Sequence, residues 1–208
     1  MEVAGTVFHC RMVLAEWAAA EGLIWADVPL GNAPPTGSQD LVVTGMDFGS
    51  STPSAVVRIE LWRERRMTRA GTVTHSWMVP GSREVSYPPT TQIEMMRAWH
   101  AEAPWSVMYY DPAAKHVADE MRSRDVPWRV QQAKNDVFEG LGLVSNLFAE
   151  KRLYVRNSED TLPLRDEISG YAWHDKTEDK PGKVDDHACD AMRYAAMGVF
   201  KRTGRIVF

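Results

Sequence analysis

Residues 41–47 read LVVTGMD, an apolar run ending in an acid, the pattern of a buried strand at the point where it leaves a sheet. Two β-branched, partly alternating segments follow, SAVVRIELW and GTVTHSWMV, joined by the charged turn RERRMTRAG. Together they predict three successive strands. The period then changes. PPTTQIEMMRAWHAEA opens on Pro and Thr and reads as a helix, WSVMYYD is again a strand ending in an acid, and PAAKHVADEMRSRD is an amphipathic helix with Pro112 at its start. VPWRVQQ is a short strand, DVFEGLGLVSNLFAEK sets Val137, Leu141, Val144 and Leu147 on one helical face, and RLYV is a brief strand. SEDTLPLRDEISGYAW predicts a helix with an extended exit, DKTEDKPGKV a charged loop, and residues 185–200 a closing helix. The expected fold is α/β: a mixed sheet of a three-strand antiparallel meander continued by parallel βα units, flanked by helices.

Upstream, HCRMVLAEWAAAEGLIW (residues 9–25) carries Met12, Val13, Trp17 and Ala20 at helical spacing and stops near Gly22. ADVPLGNAPPTGSQD, with three prolines, reads as a linker. The expected division is therefore an N-terminal helix and linker over 1–40 and a main domain over 41–208. A chain of 208 residues suffices for one good core. Its 44% hydrophobic and 25% charged composition is that of a soluble globular protein, and no apolar run approaches a membrane span. The first residues lack the order of a secretory signal. Cys10 and Cys189 stand far apart without metal-ligand spacing, which suits reduced thiols in a cytoplasm. A formal charge of −4 argues against a basic nucleic-acid coat but leaves room for an enzyme that meets DNA through metals and a local patch.

The candidate chemistry lies in carboxylates. Asp47 and Asp111 each finish an apolar strand, where an acid must be paired, hydrogen-bonded or metal-bound. Asp111 precedes Pro112 and so also qualifies as a helix cap. Asp185, Asp186 and Asp190 crowd the mouth of the last helix, where capping and metal binding both explain negative charge. Carboxylates from three separate elements make the oxygen donor set that a pair of hard Mg²⁺ or Mn²⁺ ions requires. His187 is a candidate ligand or proton shuttle, against the alternative of a solvated helix-start residue.

GMDFGSSTPSAV, YYDPAAKHVADEMRSRDV and DDHACDAMRYA resemble, in order, the motifs of the RNase H-like (RuvC-like) nuclease domain of phage terminase large subunits. KNDVFEGLGLVSNLFAEKRLYV and YAWHDKTEDKPGKVDDHACDAMRYA resemble that family's later segments, and MVLAEWAAAEGLIW the end of its motor domain. The resemblance implies a metal-dependent endonuclease that cuts concatemeric double-stranded viral DNA in the host bacterial cytoplasm, with the portal protein and small terminase subunit as partners. It makes Asp47, Asp111 and Asp186 the catalytic ligands of two divalent ions, with Asp185 a further ligand because the doublet leaves the register open by one. Asp190 and His187 support the site, or Asp190 simply caps. Lys134 and Lys183 are candidate phosphate contacts, against plain solvation. Arg63, Arg65, Arg66 and Arg69 are candidates for tracking the DNA backbone, against an exposed hairpin turn. No G-x-x-x-x-G-K-[ST] string occurs, so no ATPase motor is expected in this chain. The rival readings are a junction resolvase of the same fold, a kinase-like ATPase suggested by DFGSS but needing more chain than is present, and a non-catalytic docking module.

Overall fold

The computed structural model describes residues 22–31, 39–49, 52–63, 69–82, 84–175, 178–181 and 186–201. The three β-rich segments form the expected antiparallel meander of β1 (Gln39–Asp47), β2 (Ser54–Arg63) and β3 (Arg69–Val79). β4 (Val107–Tyr110) then pairs parallel to β1, β5 (Arg129–Gln132) parallel to β4, and β6 (Leu153–Val155) parallel to β3. The six-stranded order is β5-β4-β1-β2-β3-β6. The helices are α1 (Pro89–Glu102), α2 (Lys115–Ser123, entered through a 3₁₀ turn at Pro112–Ala114), α3 (Val137–Ala149), α4 (Leu162–Ile168) and α5 (His187–Phe200). Among the described residues, no helix is long and apolar enough to cross a membrane.

Strand alternation divides the core into two layers. Val43, Val107 and Tyr109 face Leu141 and Val144 of α3, Leu164 of α4 and the alanines of α5. Met46, Met108 and Tyr110 face Ile93 and Met96 of α1 and Val117 and Met121 of α2. α5 is buried on nearly every side, the Arg193 side chain included. Its small residues let it lie directly on the sheet. A Cβ added to Gly45 of β1 would stand 1.7 Å from the Ala191 carbonyl oxygen, so strand and helix meet backbone to backbone.

Two expectations change. The helix expected over 9–25 falls, for residues 9–21, outside the described residues, and its last part is not helical: Leu23 bridges to Ala172, and the Ile24 amide donates to the Tyr171 carbonyl at 2.9 Å. Residues 22–31 lie against the domain. Trp25 is 3% exposed and packs edge-on to Phe148 and tilted against Tyr171, while Leu30 bridges to Val155. Burying an indole outweighs the turn-forming composition around it. The charged loop expected over 175–184 instead contains a hairpin strand: β7 (Trp173–Asp175) pairs antiparallel with β8 (Glu178–Pro181). A hairpin so polar lacks the apolar alternation that marks a strand in sequence.

Candidate metal centre

Register alone sets the first two acids side by side. Met46 pairs with Tyr110 across the parallel β1–β4 ladder, so Asp47 and Asp111 are the next residues out at the same sheet edge. The Asp111 amide still reaches the Met46 carbonyl, at 3.4 Å. Alternation puts Asp47 on the face of Val43 and Gly45, and Asp111 on the face of Val107 and Tyr109. That is the face covered by α5. The helix begins at this edge: His187 Nδ1 lies 2.7 Å from Asp47 Oδ2, with Asp186 immediately before it as the N-cap residue. The structure thus brings Asp47, Asp111, Asp186, His187 and, one turn further on, Asp190 to one edge of the sheet.

Buried partners hold these groups. Asp190 Oδ1 accepts from Arg193 Nε at 3.1 Å and pairs with its Nη2 at 3.0 Å; the arginine side chain is 1% exposed. The guanidinium also donates to Asn135 Oδ1, at 3.3 and 3.4 Å, as does the Tyr194 hydroxyl at 3.4 Å. With its oxygen so engaged, Asn135 turns its Nδ2 to Asp111 Oδ1, at 3.2 Å. The cap expected at Asp111 is present, since the same Oδ1 accepts the Ala113 amide at 3.1 Å; both bonds leave Oδ2 to other partners. Burial pushes Asp190 up to about 6; Arg193 opposes the rise, and the charges of Asp186 and Asp47 add to it. The hydrogen bond to Asp47 raises His187 above its ordinary value.

The N-terminal amides of α5 are capped from outside the helix. Glu167 Oε2 of α4 accepts the Ala188 amide at 2.7 Å and the Cys189 amide at 3.0 Å, whereas Asp186 makes no side-chain capping bond. Burial pushes Glu167 up to about 7 despite those two bonds. Glu167, Asn135 and Arg193 are absent from the sequence reading. Arg193 alone had a local signal, three residues after Asp190 on one helical face.

The donor set suits a hard dication: carboxylate oxygens from three elements, with more negative charge than the neighbouring cations offset. Among the described residues, no three such side chains converge on one point as they stand. Asp47 is turned to His187, and Asp111 to Ala113 and Asn135. The Asp47 and His187 side chains are 17% and 19% exposed, so the pair is partly open to solvent. The residues fit in chemistry, and three elements bring them to one edge of the sheet.

Lys134 is exposed two residues beyond β5, at the same edge as Asp111. Arg63 and Arg69 stand at the opposite end of β2 and β3, roughly 25–30 Å away at strand rise. There they pair with Asp40 at 2.8 and 3.0 Å. Asp185, Lys183, Arg65 and Arg66 lie outside the described residues.

No protein-family model matches the chain, and no curated protein gives a significant match. Solved structures do. The large terminase of a thermophilic bacteriophage superposes with a TM-score of 0.72 at 23% identity, over 94% of this chain and 50% of that one. This chain therefore spans half the length of that terminase. The P22 large terminase nuclease domain gives 0.61 at 17% identity, over 86% of this chain and 93% of that one. The SPP1 large terminase nuclease domain, with bound Mn, gives 0.57 at 18% identity, over 83% and 97%. From its antiparallel meander through the parallel strands to the helix lying on β1, the chain has the RNase H-like fold of phage large terminase nuclease domains.

Proposed function

We propose that the chain is a divalent-metal-dependent endodeoxyribonuclease that cuts concatemeric double-stranded DNA for a viral packaging terminase. The reading is carried by the meeting of Asp47 and Asp111, at neighbouring parallel strand ends, with the Asp186–His187 mouth of α5. The SPP1 nuclease domain, similar in fold, was solved with bound Mn. Asp47, Asp111 and Asp186, with Asp185 as a further ligand, would hold two Mg²⁺ or Mn²⁺ ions. Such a pair, when bound, supplies a hydroxide nucleophile at neutral pH and positive charge for the departing 3′-oxygen.

The chain's own residues prepare that chemistry. Asn135 and the Ala113 amide fix Asp111 through Oδ1 and direct Oδ2 elsewhere. Arg193 holds Asp190 on its own helix and ties it to Asn135. His187, its proton favoured by Asp47, would keep that proton at Nδ1 against the Asp47 carboxylate and so help to orient it. Lys134 contacts a phosphate from the β5 side, and Lys183, Arg65 and Arg66 are further candidates for phosphate contact. Contacts to phosphates alone give cleavage scattered over a duplex and binding that weakens with salt. The portal protein and the small terminase subunit are the partners, in the cytoplasm of an infected bacterium.

The test is plasmid cleavage. It should require Mg²⁺ or Mn²⁺ and stop with a chelator. Full activity in excess chelator overturns the reading, and no cleavage with either metal returns the chain to a docking module.

A further inference from the structure

We propose that Glu167 is a positioning residue that occupies the capping site of α5 and thereby leaves the Asp186 carboxylate to the neighbouring acids rather than to its own helix. With Asp186 as the N-cap residue, the amides of Ala188 and Cys189 are those at the second and third helical positions. These are the two that a capping Asp side chain ordinarily accepts. Both residues are fully buried, so water does not satisfy these amides and the protein must supply an acceptor. Two acceptors are within reach: Asp186 on the helix itself, and Glu167 on α4. Glu167 Oε2 takes both amides, at 2.7 and 3.0 Å. The backbone of Asp186 agrees. Its φ of −114° and ψ of 9° lie outside the extended region that a self-capping residue adopts.

If Glu167 is removed, Asp186, among the strongest capping residues, shifts its backbone into the extended region and takes the cap of its own helix, leaving the neighbouring acids. Glu167 therefore acts through Asp186 and needs no contact with an ion or with DNA. The proposal rests on Asp186 being a metal ligand, and the experiment keeps the two ideas apart.

The measurements are amide hydrogen exchange at Ala188 and Cys189 without metal, and Mn²⁺ titration by calorimetry. The proteins are the wild-type chain, Glu167→Leu, Glu167→Gln, Asp186→Asn, and Glu167→Leu combined with Asp186→Ala or with Asp186→Asn. Glu167→Leu keeps the buried volume and removes the acceptor. It should preserve amide protection, because Asp186 takes over the cap, and weaken Mn²⁺ binding about tenfold. Adding Asp186→Ala should then abolish the protection. Glu167→Gln, whose carbonyl oxygen accepts the same bonds, should restore wild-type affinity. Glu167→Leu with Asp186→Asn should bind Mn²⁺ no more weakly than Asp186→Asn alone. Loss of protection in Glu167→Leu by itself overturns the proposal, as does unchanged Mn²⁺ affinity in that variant or an additive loss in the double variant. If Glu167→Leu does not fold, a Glu167→Gln protein with weakened Mn²⁺ binding overturns it equally. An Asp186→Asn protein with wild-type Mn²⁺ affinity instead removes Asp186 from the metal site and leaves the exchange result to judge the cap.

Discussion

Replacing Gly45 with alanine should pull the two halves of the site apart. The new Cβ would stand 1.7 Å from the Ala191 carbonyl oxygen and 2.8 Å from the Ala195 amide nitrogen. Both are helix backbone, so no rotamer relieves the contact. Reaching even 3.0 Å from that oxygen moves α5 off β1 by about 1.3 Å. Asp47 lies two residues along the same strand, and its 2.7 Å approach to His187 at the head of α5 would open past hydrogen-bonding range. A misplacement of about 1 Å costs a positioned site roughly 100-fold in rate. Overpacking against backbone should cost about 3 kcal/mol, which in a domain of this size lowers Tm by roughly 6–12 °C. The assay is Mn²⁺-dependent plasmid cleavage alongside thermal melting. Gly142→Ala serves as the control, since its added Cβ meets nothing within 4 Å and a helix interior favours alanine. A Gly45→Ala protein that melts like wild type and cleaves within twofold of it refutes the reasoning.

Asp47→Asn, Asp111→Asn and Asp186→Asn should each lose at least 100-fold in cleavage, the last two without a fall in chelated Tm because the remaining carboxylates repel one another less, and Asp47→Asn with a small fall because it gives up its charged pair with His187. A dead Asp185→Asn beside a near-normal Asp186→Asn would reassign the ligand within the doublet. Arg193→Met should destabilise by about 3 kcal/mol on melting, because Asp190 loses a buried partner. Asn135→Asp should lower Tm in chelator, since it turns a carboxylate on Asp111 where an amide now donates, and Mn²⁺ should restore part of that loss; a Tm unchanged in chelator would remove Asn135 from the site. In chelator, Tm should rise as pH falls from 8 to about 5.5. Glu167 at about 7 and Asp190 at about 6 bind protons more tightly folded than unfolded, and His187 is shifted in the same direction, so the stability they contribute is lost as pH rises through those values. With Glu167 partly screened, its share is on the order of 2 kcal/mol, and a flat Tm across this range contradicts the assignment.

Periodicity is a local property, and the sequence revealed what local properties can determine. LVVTGMD, SAVVRIELW and GTVTHSWMV announce strands because apolar runs of that length must be buried, and the structure pairs them in that order. Asp47 and Asp111 stood out because an acid closing such a run needs a partner, and the ladder places them adjacent. The hairpin at β7–β8 and the burial of Trp25 gave no such signal, the first for lack of apolar alternation and the second because its partners Phe148 and Tyr171 lie more than a hundred residues away. Distance along the chain also hid the separation of Arg63 and Arg69 from the acids, which follows only from the direction of β2. The crowd of acids at the mouth of α5 shows the division most clearly. Asp185, Asp186 and Asp190 were all locally eligible as caps, and nothing within the helix could choose among them. The choice came from α4, which packs so that Glu167 reaches amides 21 and 22 residues further along. A hydrogen bond needs its acceptor within about 3 Å in space, and only the tertiary fold decides which residue arrives there.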